Sequence, residues 1–148
     1  MKRRNRAVSG HRGFTLIELV TVIVILGVLS AVALPVYLDY QADAKAAACK
    51  GSLGAMRAAV ANFYAHSATP AGGGTLKYPT LTELTTVGTV MMDAVPDNPY
   101  DTDGTPNNVV ASSASKGTVG ANGGWAYNVA NGQVWANTNT SGVSENNF

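Results

Sequence analysis

The sequence predicts an α+β fold: a long N-terminal α-helix, membrane-spanning in its first half, packed against a small C-terminal antiparallel β-sheet with long loops. Three observations carry this. Twenty residues from Leu19 to Leu38 contain no charge. Beyond them Cys49, Leu53, Met56, Val60 and Phe63 recur at 4-3-4-3 spacing, which is one face of a helix. Nearer the C-terminus, "WAYNVANGQVWAN" alternates around Asn131-Gly132, a pair that favours a tight hairpin.

The first element is a basic leader, residues 1–13. The chain has ten basic and nine acidic side chains, but Lys2, Arg3, Arg4, Arg6 and Arg12 all precede Phe14. Without the leader, five basic side chains face nine acidic ones, a balance of −4 that argues against nucleic acid as a partner of the mature chain. Residues 14–40 form the hydrophobic helix. As a helix the charge-free run rises about 30 Å, the thickness of a bilayer's hydrocarbon core. Val20, Val22, Ile23, Val24, Ile25, Val28 and Leu29 surround it on all sides, as lipid requires. The basic leader holds the N-terminus in the cytoplasm, giving a single-pass inner-membrane protein.

An ordinary secretory signal places its small residue after the apolar core and loses that core on cleavage. Here the small residue, Gly13, precedes the core. A cut between Gly13 and Phe14 falls at the cytoplasmic face and leaves the helix on the mature protein. Glu18 is the carboxylate of this helix, and an acidic residue costs about 3 kcal/mol at mid-bilayer and less near the interface. Either it lies among the headgroups without a partner, or it meets a positive charge at similar depth. Cleavage creates such a charge, the α-amino group of Phe14, and a neighbouring helix staggered along the axis brings the two together. A desolvated pair missing one partner is strongly unfavourable, so the pairing selects against incomplete assembly. Gly27 and Pro35 weaken the helix, Pro35 by removing the amide that bonds to Ala31, so a kink or melted turn is expected.

Residues 41–65 are the amphipathic half of the same helix, which spans roughly 75 Å in all at 1.5 Å per residue. Its apolar stripe needs a cover, and residues 66–148, a small loop-rich β region, are the candidate within the chain. "HSATPAGGGTLKYP" is a loop, and Thr80 with Glu83 forms a capping box opening a short helix. "MMDAVPDNPYDTDGTPNN" reads as loop, and "VVASSASKGTVGANGG" contains a short strand and a flexible turn. In a two-residue-loop register Trp125, Tyr127 and Val129 share a face with Val134 and Ala136, while Trp135 points the other way. The tail "TNTSGVSENNF" is polar and expected to be loosely ordered.

Little in the chain points to catalysis, and no enzyme is expected. Cys49 is the only cysteine, so neither an intramolecular disulfide nor a zinc cluster can form, and it reads as a small hydrophobe. His11 and His66 stand apart from any nucleophile, and "AGGGT" lacks the lysine of a phosphate loop. Tyr37, Tyr40, Phe63 and Tyr64 are assigned to core packing rather than to electron transport.

"RGFTLIELVTVIVILGVLSAVALPVY" resembles the class III signal and N-terminal helix of type IV pilins and type II secretion pseudopilins, over roughly residues 10–40. The resemblance implies a structural filament subunit. Gly13 and Phe14 match the site where a prepilin peptidase cuts and N-methylates the new first residue. Glu18 matches the glutamate that neutralises the N-terminus of an adjacent subunit. Gly27 and Pro35 match the positions between which the helix loosens in filaments. It further implies self-association into a helical homopolymer, an assembly ATPase and platform proteins as partners, and an extracellular pilus or a periplasmic pseudopilus as the destination. Two features depart from the commonest pilin pattern. The chain lacks the disulfide closing the C-terminal loop, and "VPDNPYDTDG" is similar to the Pro-rich loop of major pseudopilins. That likeness makes Asp97, Asp101 and Asp103 candidate calcium ligands, hard oxygens on a loop without EF-hand spacing, against the alternative of a solvated acidic turn. No cofactor is otherwise required. A reading of another class, an uncleaved membrane-anchored binding module, predicts that Phe14 never becomes an N-terminus.

Overall fold

A computed structural model describes residues 13–148. Residues 1–12, with the five leader cations and His11, lie outside the described residues. The chain divides into two compact units, the first ending at Tyr40 and the second being Gln41–Phe148. Helix α1, Leu16–Ser67, contributes to both.

In the first unit every described residue up to Tyr40 is exposed. Tyr37 and Tyr40 are 60% and 68% exposed, so core packing does not account for them; their place near the end of the apolar run suits the membrane interface. The expected melted turn at Pro35 is not seen. Proline removes only one amide from the ladder, and helical assignment continues unbroken on both sides.

The second unit is built around the stripe of α1. Cys49, Leu53, Met56 and Val60 are buried and pack with Leu84, Val95, Val109, Trp125, Tyr127, Val134 and Ala136 in one cluster. Phe63 is only half-buried, and Tyr64 stacks on Tyr78 with ring centroids 4.5 Å apart. The helix ends where Ser67 Oγ donates to the Tyr64 carbonyl at 2.7 Å and accepts from Lys77 N at 3.0 Å. Helix α2, Leu81–Thr85, carries the predicted capping box: Thr80 N donates to Glu83 Oε2 at 2.7 Å, and Glu83 N to Thr80 Oγ1 at 3.2 Å.

Strands β1 (Val109–Ala111), β2 (Trp125–Asn128) and β3 (Gln133–Ala136) form one sheet in the order β1-β2-β3. The sheet is mixed, not wholly antiparallel: β2 and β3 are antiparallel, but β1 runs parallel to β2. Parallel pairing needs a crossover of about a dozen residues, and the segment 112–124 supplies it. Register pairs Trp125 with Ala136 and Tyr127 with Val134. The hairpin loop is therefore the four residues 129–132 rather than Asn131-Gly132 alone. Asn128 Oδ1 accepts from Ala130 N at 3.0 Å, and Gly132 N closes on the Asn128 carbonyl at 2.8 Å. These bonds end β2 at Asn128, and Val129 leaves the sheet face, 39% exposed. A shift of two residues preserves alternation, so Trp125 and Tyr127 still share the face of Val134 and Ala136.

Trp135 points the other way and is also buried, its indole N–H donating to the Thr118 carbonyl at 2.8 Å. The crossover loop thus covers the second face. Helix α2 contacts β1, and a 3-10 turn at Glu145–Asn147 contacts β3, so both sheet edges have neighbours. That turn corrects the expectation of a loose tail. Asn146 Nδ2 donates to the Gly117 carbonyl, Lys116 Nζ to the Asn147 carbonyl, and Arg57 to the carbonyls of Val134 and Phe148. Polar side chains that look solvated in sequence here supply hydrogen bonds to backbone carbonyls.

Candidate functional site

The residues singled out at the N-terminus lie together at the start of α1. Gly13 is exposed and Phe14 is 87% exposed, leaving the bond between them open. The helical ladder begins with Leu19 N donating to the Thr15 carbonyl at 3.3 Å. Thr15 stands at the cap position, where first-turn amides lack intrahelical partners. Its amide and hydroxyl each donate to Glu18 Oε2 at 2.8 Å, and Glu18 N donates back to Thr15 Oγ1 at 3.3 Å. This is a closed capping box. Glu18 therefore has a partner inside its own helix, one that neither the headgroup nor the neighbouring-amine reading anticipated. The signal was present: "TLIE" has the T-x-x-E spacing that identified Thr80 and Glu83.

From Leu16 onward the helix presents apolar side chains to its surroundings, among them Ile17, Ile23, Val28 and Leu34 at 58–68% exposed. It is long and apolar enough to cross a membrane, with none of the apolar window buried. Gly27 and Pro35 both lie within the helix, and a Cβ at Gly27 meets nothing within 4 Å. The chain's own packing thus imposes no need for glycine there.

In the acidic loop the Asp101 and Asp103 carboxylates accept from nearby amides and a hydroxyl. Asp101 accepts from Asp103 N at 3.2 Å and Thr105 N at 2.9 Å. Asp103 accepts from the Thr105 hydroxyl and amide and, at 2.9 Å, from Gly123 N. The Thr105 hydroxyl and then the Gly123 amide hold the Asp103 carboxyl below its ordinary range. Among the described residues no group of three or more His, Cys, Asp or Glu is placed to hold a metal ion. The loop is pinned by Asn98, 2% exposed, whose amide donates to the Gly124 carbonyl at 2.7 Å and to Thr138 Oγ1 at 3.0 Å. Cys49 lies beneath it with Sγ 4.0 Å from Asn98 Oδ1, and burial pushes the thiol up to about 11. A thiol so held is protonated at neutral pH and packs as a hydrophobe.

A family described as "Prokaryotic N-terminal methylation motif" matches residues 8–34. Over 60 residues the chain is 46% identical to "Fimbrial protein EcpB" of Eikenella corrodens, covering 40% of this chain and 38% of that protein. It is 46% identical over 52 residues to "Type IV major alpha-pilin" of Moraxella bovis, covering 35% and 33%. It is 47% identical over 54 residues to "Type IV major pilin protein PilE1" of Neisseria gonorrhoeae, covering 36% and 33%. The chain thus spans about a third of the length of these curated relatives. No solved structure matches it.

Proposed function

We propose that this chain, whose N-terminal segment is that of the type IV pilin family, is a structural subunit of a type IV pilus-like filament rather than an enzyme. A prepilin peptidase cuts after Gly13, and the mature chain polymerises through its N-terminal helix. The observation that carries this reading is the order of features at the start of α1. An exposed Gly13-Phe14 bond stands directly before an apolar helix with no buried residue in its membrane-length window, and that helix carries one carboxylate near its N-terminus. Before assembly the helix anchors the subunit in the inner membrane with the N-terminus cytoplasmic. On assembly it exchanges lipid for neighbouring helices, so the apolar surface stays away from water throughout. In the filament Glu18 receives the Phe14 amine of an adjacent subunit, and the segment between Gly27 and Pro35 loosens. An assembly ATPase and a platform protein supply the work of extraction. The destination is extracellular. A periplasmic pseudopilus is the second reading, favoured by Cys49 being free and without a disulfide partner.

Mass spectrometry of the N-terminus, in material sheared from cells and in the membrane pellet, tests these readings. A methylated peptide beginning at Phe14 in the sheared fraction is the expected result. The same peptide confined to the pellet favours the pseudopilus. An intact leader in both fractions means a membrane-anchored binding module and overturns the filament reading.

A further inference from the structure

We propose that the second unit carries a contact of its own between copies of this chain: the end bearing Arg57 and Lys116 receives the acidic loop around Asp97 of the next copy. This contact rests on the filament reading above. Three elements of Gln41–Phe148 run between the same two ends. In β3, Val134 lies at the first end, where its carbonyl accepts from Arg57, and Ala136 at the second, paired with Trp125. The indole of Trp125 donates to the Pro96 carbonyl at 2.7 Å, which sets Asp97 at that second end. The crossover runs beside β3. Lys116 donates to the Asn147 carbonyl, the Thr118 carbonyl accepts from Trp135, Gly120 N donates to Asn137 Oδ1, and Gly123 N donates to Asp103. In α1, Arg57 stands at the first end and Cys49, beneath Asn98, at the second, about 12 Å apart along the helix.

The charges sort by end. A cleft of about 280 Å³ at the first end is lined by Arg57, Lys116, Gly132, Gln133 and Val134. Tyr78 packs against Gly132, which brings Lys77 to the same end. A cleft of about 330 Å³ at the second end is lined by Asp101 and Asp103 on one side and Asn137–Thr140 on the other. Of the two lysines on the nearby stretch of α1, Lys50 is turned to the Phe148 ring, 4.5 Å from its centroid, which leaves Lys45. Among the described residues the one ion pair is Lys77–Glu83, at 3.9 Å. Arg57 and Lys116 therefore donate to backbone carbonyls, and Asp101 and Asp103 accept from amides and a hydroxyl, with no side chain of opposite charge at hand. Opposite charges held apart on one fold are complementary between two copies of it. A contact of this kind joins unlike patches, leaves a free patch at each end of the pair, and so propagates into an open helical array instead of closing into a dimer. A macromolecule of a single charge sign would engage one end and leave the other unused.

Asp97 and Lys116 are both exposed, and Lys116 gives up a single hydrogen bond, to the Asn147 carbonyl, so both can be exchanged without opening the core. Full-length chains carrying Asp97→Lys, Lys116→Glu or both are expressed in cells. Processing at Gly13-Phe14 is read by mass spectrometry and assembly by sheared-filament yield. Each single variant is expected to be processed as wild type is and to lose filament yield at least about tenfold, because like charges then face each other across the contact. The double variant opposes the charges again with their signs exchanged, and is expected to recover the yield. Undiminished yield from either single variant overturns the contact, and so does a double variant no better than the singles. Asp97→Lys combined with Lys45→Glu restores the net charge within one end only. Recovery there makes net charge the cause and overturns the pairing between ends. A wild type that yields no filament overturns the filament reading itself, a result distinct from the others.

Discussion

Glu18 carries the only charge between Phe14 and Leu38, and its environment is set within a single turn. Its position was legible in the sequence because a carboxylate in an apolar run stands out against a cost of about 3 kcal/mol at mid-bilayer. Its partner Thr15 has the spacing of a capping box, but a single hydroxyl beside an apolar run does not stand out by charge or hydropathy. On the filament reading, Glu18→Ala removes the acceptor and leaves the scissile bond untouched. The variant is expected to yield the peptide starting at Phe14 but at least about tenfold fewer filaments, a loss of roughly 1.4 kcal/mol or more in assembly. Counting sheared filaments against processed subunit measures it, and an undiminished count removes Glu18 from the assembly contact.

Among the elements, α1 and the capping of α2 followed directly from local pattern. The hairpin followed only in part. Asn131-Gly132 marked the turn, but the side chain of Asn128 captured Ala130 N, and the loop opened to four residues. Gly132 keeps a decisive role in it, with φ of +72° and the ring of Tyr78 where a Cβ would stand. Gly132→Ala therefore combines a left-handed backbone cost of about 1–2 kcal/mol with overpacking against Tyr78 of about 1–3 kcal/mol. A destabilisation of roughly 2 kcal/mol or more is expected from urea unfolding of the detergent-solubilised chain, followed by the fluorescence of Trp125 and Trp135. Both indoles are fully buried and report the sheet. An unchanged midpoint means that the loop rearranges freely. The parallel placement of β1 was beyond local reading, because three residues pair either way and the choice depends on how the crossover loop packs.

At the scale of the whole molecule, Gln41–Phe148 closes on itself through its C-terminal segment. Glu145 is fully buried there, and Thr140 donates to it from both amide and hydroxyl at 2.9 Å. Burial alone raises its carboxyl, but these hydrogen bonds outweigh burial and hold it below its ordinary value of 4.5. A carboxyl lowered on folding stabilises the fold above its unfolded value, and this contribution is lost as pH falls from about 4.5 through the folded value. Glu83, lowered by bonds from Thr80, shares this window, whereas Asp103, lowered by Thr105 and Gly123, contributes a loss only as pH falls from about 3.8. Stability of the detergent-solubilised chain is expected to fall on acidification below pH 4.5, and Glu145→Gln to show a shallower fall. An equal acid slope in the variant means that folding leaves the Glu145 carboxyl at its ordinary value.

Elements whose signal repeats along a few turns of chain are readable from residue order alone. These are the apolar run with its basic flank, the carboxylate within it, the stripe from Cys49 to Val60 and the strands that cover the stripe. Periodicity and charge are local quantities, read from neighbours in the chain. The mixed sheet, the four-residue hairpin loop, the burial of Trp135 and the docking of the tail emerge only in the folded chain. Each of these depends on hydrogen-bond partners far away in sequence, as Trp135 depends on Thr118, Asn146 on Gly117 and Arg57 on Phe148. A polar side chain looks the same in sequence whether it meets water or a distant carbonyl. Folding alone chooses between them, because a buried donor or acceptor left without a partner costs about 1–3 kcal/mol.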